Sequence, residues 1–209
     1  MPLFLIDDLY VDPDAVRQFA FERSFPESQA YYPGRHQPLP SNDPSIRIFS
    51  DFMAKVLSHA TGKPISGSAI STDFSILTTP ENGLLGLQGQ PHIDATPMLG
   101  VIYLNSADFG GTVFFRNKET GSMSVVTDEH REQYARITTR SDENPGDKRY
   151  ITDSSGIWEK VDVIDGNKNR LVIWPGNVFH SIEVKVPPDL GKVEEKRLTQ
   201  RVIVNRIGQ

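Results

Sequence analysis

Two kinds of hydrophobic spacing divide the chain, and the change falls near residue 69. Before it, apolar positions recur at helical intervals. In "VDPDAVRQFAFERSF", Asp12 stands before Pro13 as an N-cap before a first-turn proline, and Val16, Phe19 and Ala20 follow at helix spacing. This predicts a helix over about residues 13 to 24. "NDPSIRIFSDFMAKVLSHATG" repeats the device with a stripe of Ile48, Phe52, Val56 and Ala60, backed by Phe49, Met53 and Leu57 and stopped at Gly62. His59 falls within this helix, where a histidine is ordinarily a surface residue. Between the helices, "PESQAYYPGRHQPLPSNDP" is rich in Pro, Gly, Ser and Asn and reads as a loop whose tip carries Tyr31, Tyr32 and Arg35.

From residue 69 the pattern shortens to β-branched and aromatic runs: "AISTDFSILTT", "MLGVIYLN", "GGTVFFRN", "NRLVIWPG", "HSIEVKV" and "RLTQRVIVN". Repeated short strands after helices predict a mainly β fold with N-terminal helices, a sandwich or jelly roll. Residues 117–160 interrupt the runs with a short helical candidate, "TDEHREQYARITT", and the polar "RSDENPGDKRY", which together read as an insertion and a candidate lid. The expected organisation is one domain over 1–209, with a helical elaboration at 1–68 and a β core at 69–209.

Composition narrows the chemistry. The chain has 209 residues, 37% hydrophobic and 23% charged, as ordinary soluble globular proteins do. A net charge of -5 with no basic stripe argues against nucleic acid. The apolar start "MPLFLI" is too short to span a bilayer and lacks a basic flank, so no membrane partner is expected and the default compartment is the cytoplasm. With no cysteine, any metal must take nitrogen and oxygen ligands.

Such ligands stand in "GQPHIDATP". On a strand, His92 and Asp94 would project to one side and Ile93 to the other. A lone His-x-Asp is also compatible with a strand-edge histidine bonded to a nearby carboxylate. A second histidine, His180 in "PGNVFHSIEV", begins another strand candidate after a Pro-Gly turn. Two histidines and one carboxylate suit non-haem Fe(II) with open positions, and equally a catalytic zinc. "EKRLTQRVIV" separates the two, because a buried arginine backed by a hydroxyl is a partner for the distal carboxylate of 2-oxoglutarate, and Arg197 and Thr199 are two apart. Arg201 shares their face and competes for the role, and basic residues on an exposed strand remain the plainer reading of this segment taken alone.

In order, "PHID", "GVIYLN", "GGTVFF", "PGNVFHSI" and "RLTQRVIV" resemble the core of the Fe(II)/2-oxoglutarate-dependent oxygenase superfamily, in particular its prolyl-4-hydroxylase-like branch. "YYPGR", "GGTVFFRNKETG" and "KNRLVIWPGNVFHS" add a resemblance to bacterial members of it. The resemblance implies a double-stranded β-helix, cupin-like in form, with His92, Asp94 and His180 as catalytic iron ligands. It implies Arg197, Thr199 and Tyr103 as 2-oxoglutarate ligands and dioxygen as the second cosubstrate. The longer spacing from His180 to Arg197 departs from many relatives and leaves Lys185 as an outside candidate. The implied reaction is hydroxylation of an unactivated C–H bond, with desaturation or ring closure as variants; Asp94 disfavours halogenation.

Substrate contacts are expected from loops at the open end: Arg35, Tyr31 and Tyr32, Gln88 and Gln90, and Arg116. The expected partner is a small amino-acid-like or natural-product molecule, the alternative a peptide or protein side chain, in a monomer or homodimer. A non-catalytic jelly-roll binding module and a zinc hydrolase are the readings from other classes.

Overall fold

The computed structural model describes residues 3–26, 32–143 and 148–208. Tyr31 and part of the polar stretch after residue 143 lie outside the described residues.

Local chemistry sets the helix ends. In α1 (Pro13–Phe21), Asp12 Oδ1 accepts the Ala15 N–H at 2.9 Å. In α2 (Pro44–Thr61), Asp43 Oδ1 accepts the Ser45 N–H at 2.8 Å, and Gly62 closes the helix at φ 66°, a left-handed conformation that glycine adopts without a Cβ clash. α1 ends three residues before the predicted limit. The buried stripe of α2 is Ile46, Met53, Ala54 and Leu57 with Ser50, whereas Ile48 and Phe52 are 72% and 48% exposed. Two apolar stripes lie side by side on this helix, and spacing alone does not say which one the sheet covers.

The strands are β1 (Phe4–Ile6), β2 (Gly34–Pro38), β3 (Ile70–Leu77), β4 (Met98–Tyr103), β5 (Thr112–Asn117), β6 (Trp158–Ile164), β7 (Leu171–Pro175), β8 (His180–Ile182) and β9 (Leu198–Val204). They form a six-stranded sheet, β1-β7-β4-β9-β3-β2, and a three-stranded sheet, β6-β5-β8, with every pairing antiparallel. Thus the predicted loop between the helices contains β2, paired with β3, and the predicted insertion ends inside β6. Within that insertion, α3 (Asp128–Glu143) carries Tyr134 and Ile137 against the outer face of the smaller sheet, on Val113, Phe115 and Phe179.

Each sheet is therefore covered on both sides. α2 packs Met53 and Leu57 against Ile70, Phe74, Leu198 and Val202 on the outer face of the larger sheet. The inner faces meet in one apolar cluster, Leu99, Val101, Tyr103, Val172, Trp174 and Ile203 from the larger sheet with Phe114 from the smaller. Trp174 is 1% exposed and Trp158 5%, so both are packing residues. No helix among the described residues is long and apolar enough to cross a membrane.

Candidate metal centre

His92 lies in a short extended segment joined to β8 by one isolated bridge, with His92 and His180 exchanging N–H···O bonds of 3.0 Å in both directions. The full strand expected from the sequence does not form there. What aligns the pair instead is this bridge together with the Asp94 N–H, which donates to the Gly176 carbonyl at 2.8 Å. Ile93 turns the other way and packs with the Val113, Phe115 and Phe179 cluster.

One ligand atom each from His92, Asp94 and His180 lies within 4.8 Å of the others. His92 Nδ1 is 2.9 Å from the Gln90 carbonyl and His180 Nδ1 is 3.0 Å from the Val178 carbonyl. A carbonyl can only accept, so both rings carry the proton on Nδ1 and present Nε2 lone pairs. The Trp174 indole N–H also approaches His180 Nδ1, at 3.3 Å, but that nitrogen cannot donate to the carbonyl and accept from the indole at once. The shorter carbonyl contact decides the tautomer.

Asp94 Oδ2 is 3.2 Å from His180 Nε2, yet this buried oxygen has no hydrogen-bond partner among the described residues. Burial, then the nearby His180, holds His92 down at about 4, against the opposing pull of Asp94. Burial raises the Asp94 carboxyl, but the positive charge that His180 and His92 would carry if protonated, together with Arg201, outweighs it and leaves the pKa lowered. A neutral imidazole and an ionised carboxylate are the protonation states a cation requires. The orphaned oxygen beside two Nε2 atoms is thus a donor set that a divalent cation fits, and nitrogen with oxygen suits iron or zinc.

Arg197 precedes β9 and is 7% exposed. Its Nη2 donates to the Gly111 carbonyl at 3.0 Å, its Nε is buried without a partner, and no carboxylate pairs with it among the described residues. The guanidinium carbon sits 5.6 Å from the Tyr103 ring centre, and the Tyr103 hydroxyl is 2.7 Å from Thr112 Oγ1. Thr112 pairs with Ile182 two residues along from the Phe114–His180 pair, a separation of about 7 Å along a strand. Thr199 is 2% exposed and shares the strand face of Arg197. Gly111 makes the anchoring carbonyl accessible: a Cβ there would lie 1.8 Å from the Ile164 carbonyl oxygen, while neighbouring Gly110 supplies the positive φ of 91°.

The remaining candidates separate. Arg201 does not compete with Arg197, because it is bound to Asp73 through two contacts of 2.8 and 2.5 Å. Lys185 reaches Glu183 at 3.4 Å and is 41% exposed. Arg116 is paired with Glu159 at 3.0 Å, both half exposed. Arg35 faces Ile76 in register, on the helix-covered face of β2 and opposite to His36. Gln90 contributes its carbonyl to His92, and Gln88 Nε2 holds the Tyr32 carbonyl at 3.4 Å. Tyr32 has a buried hydroxyl without a hydrogen-bond partner among the described residues, and burial raises its pKa against the pull of Arg197 and Arg201. Asp73, Ser75 and His36 were not singled out from the sequence, although the polar i, i+2 pair in "STDFSIL" was visible there.

The sequence model of DUF6445, a family of unknown function, matches residues 1–204. No curated protein matches the chain. Among solved structures, the non-heme alpha ketoglutarate dependent epimerase SnoN from nogalamycin biosynthesis is similar at 9% identity and TM-score 0.56, over 96% of this chain and 76% of that one. A Pseudomonas putida prolyl-4-hydroxylase is similar at 13% identity and TM-score 0.52, over 98% and 92%. HygX from Streptomyces hygroscopicus, solved with nickel and 2-oxoglutarate bound, is similar at 12% identity and TM-score 0.53, over 99% and 82%. At such identities these likenesses establish a shared fold.

Proposed function

The chain belongs to the DUF6445 family, and we propose that it is a non-haem Fe(II)/2-oxoglutarate-dependent oxygenase, one domain over 1–209 with a double-stranded β-helix core at 69–209. Its reaction on this reading is hydroxylation of an unactivated C–H bond in a small amino-acid-like or natural-product substrate. The observation that carries the proposal is Arg197, a buried guanidinium without a counter-ion among the described residues, held by Gly111 at the start of the strand that pairs with His180, beside three convergent metal-binding side chains. An isolated buried charge is costly, and a dianion reaching from Arg197 toward the metal ligands supplies the missing partner. A zinc hydrolase or a binding module gives no reason for that arginine.

His92, Asp94 and His180 would hold Fe(II), and Arg197 would take the distal carboxylate with Thr199 and Tyr103 beside it. When bound, the iron and 2-oxoglutarate with dioxygen supply the oxidising chemistry that no side chain here can perform. The chain's own part is positional. The Gln90 and Val178 carbonyls fix both imidazoles with Nε2 inward, and Phe114, Trp174 and Val178 close the apolar side of the site against water. Tyr103 is held by Thr112, so its ring stays over Arg197 and shields the guanidinium.

The test is succinate release by the purified protein with Fe(II), 2-oxoglutarate and oxygen, alongside 2-oxoglutarate binding with Zn(II) in place of iron. Slow uncoupled turnover lost in His92→Ala and weakened in Arg197→Ala supports the proposal. Absence of both turnover and metal-dependent 2-oxoglutarate binding refutes it.

A further inference from the structure

The inner face of the larger sheet carries a second polar assembly that neither the metal ligands nor Arg197 requires. Along β9, Arg201 shares a face with Thr199 and with Ile203, and Ile203 packs in the cluster common to the two sheets. Register places Asp73 opposite Arg201, Ser75 opposite Thr199, and His36 opposite Ser75, so all stand on this inner face. Asp73 is 7% exposed and Ser75 is fully buried. A charged and polar patch is expensive inside a barrel unless its valences are used, which makes the unused ones informative.

The hydrogen bonds can be followed atom by atom. Asp73 Oδ1 accepts from Arg201 Nε at 2.8 Å and from the Ser75 hydroxyl at 3.1 Å, and Oδ2 accepts from Arg201 Nη2 at 2.5 Å. The single Ser75 hydrogen is thereby committed to the carboxylate, the stronger acceptor. His36 Nδ1, 2.7 Å from Ser75 Oγ, must then be the donor. A neutral imidazole with its proton on Nδ1 presents a bare lone pair at Nε2. Burial, with help from the Arg201 charge, brings His36 down to about 4, so the ring is neutral at neutral pH. Neither His36 Nε2 nor Arg201 Nη1 has a hydrogen-bond partner among the described residues, and both side chains keep some exposure, 11% and 24%. The Tyr32 ring lies 4.5 Å from the His36 ring and covers it.

We infer that His36 and Arg201 form the substrate-recognition pair of this site, selecting a neutral hydroxyl or primary carboxamide over a carboxylate. This rests on the oxygenase reading and names the group its substrate presents. Arg201 offers Nη1 donors, His36 offers an Nε2 acceptor, and only a group that both accepts and donates satisfies the two together. A carboxylate would set its lone pairs against that of Nε2, and it would find the Arg201 charge already neutralised by Asp73. An ammonium would satisfy Nε2 and leave Nη1 without a partner. Asp73 and Ser75 touch no ligand in this arrangement; they orient the two residues that do.

The experiment uses the full chain loaded with Zn(II) and saturating 2-oxoglutarate, with ligand-observed NMR against amino acids, their primary amides and their amino alcohols. These are matched triplets that differ in one group. At least one amide or alcohol should bind about tenfold more tightly than its acid. That preference should vanish in His36→Phe, which keeps the ring shape without the acceptor, and in Arg201→Lys, which keeps the charge facing Asp73 without the Nη1 donors. Both variants should still bind 2-oxoglutarate as wild type does. Preference for the acids, a preference that survives both substitutions, or no binding by any triplet overturns the inference while leaving the oxygenase reading intact. Failure of wild type to bind 2-oxoglutarate with Zn(II) sinks both. Independently of metal, a long-range proton–nitrogen spectrum assigned with His36→Gln should show His36 Nε2 unprotonated, and a protonated Nε2 overturns the inference.

Discussion

Replacing Arg197 with methionine should make the ligand-free protein more stable and remove its cosubstrate binding. The arginine is 7% exposed with a single hydrogen bond, to Gly111, and no carboxylate partner among the described residues. Losing that bond costs about 1 kcal/mol. Removing a desolvated charge without a counter-ion returns several kcal/mol, since even complete buried ion pairs often give 1–4 kcal/mol when replaced by apolar side chains of similar volume. The net gain is about 1–3 kcal/mol, or roughly 2–10 °C in Tm for a chain of this size. The wild type should recover the difference only with ligand: 2-oxoglutarate at about 100 times its Kd adds about 2.7 kcal/mol, and the methionine variant should gain almost none. Scanning calorimetry of both Zn(II)-loaded proteins, with and without 2-oxoglutarate, measures all four quantities. A ligand-free Arg197→Met protein that loses more than about 3 kcal/mol would show that Arg197 is a structural residue, and the anion argument would fail.

Three further outcomes follow from the same geometry. Asp94→Ala removes one of three convergent ligand atoms and should weaken Zn(II) binding by on the order of 100-fold or more, measured by competition with a chelating dye; unchanged affinity would place the metal elsewhere. His36 has its folded pKa depressed from 6.5 to about 4, so its contribution to stability is complete above about pH 6.5 and is lost as pH falls toward 4. That contribution is on the order of 3 kcal/mol, and a His36→Phe protein should show a flatter fall of Tm across that interval; parallel curves would refute the assignment. Gly111→Ala puts a Cβ 1.8 Å from the Ile164 carbonyl oxygen and should cost more than about 3 kcal/mol in urea unfolding, because backbone rather than a flexible side chain must yield.

What could be read from the sequence depended on whether one residue type carried the signal locally. The N-cap and proline of both helices and the turn glycine at 62 act within a few residues, and the structure has them where the pattern placed them. The convergence of His92, Asp94 and His180 was legible as chemistry, although the reason given for it, a continuous strand, is replaced by a single bridge between His92 and His180. Choices between equivalent faces were not legible. Ile48 and Phe52 on α2 have the same spacing as Met53 and Leu57, and only the sheet decides which pair is buried. Arg35 and His36 are neighbours on β2, and which one faces inward follows from the register with β3, a long-range fact.

The same register places the polar wall on the inner face, which no single strand's pattern reveals. β3 is buried on both faces from Thr72 to Leu77, yet its inner positions are Asp73 and Ser75, where apolar residues would pack with less cost. On the opposite side of the same interior, β4 and β7 supply Leu99, Val101, Val172 and Trp174, so the larger sheet is apolar along one half of its inner face and polar along the other. Stability alone would favour an apolar surface throughout, since a satisfied buried ion pair is at best neutral against well-packed hydrophobic side chains. The polar half also contains Arg197, Arg201, Tyr32 and His36, whose Nε, Nη1, hydroxyl and Nε2 have no hydrogen-bond partner among the described residues. Unused valences gathered on one half of an interior, beside a set of ligand atoms with an orphaned carboxylate oxygen, are what a binding cleft needs and what a packing core avoids.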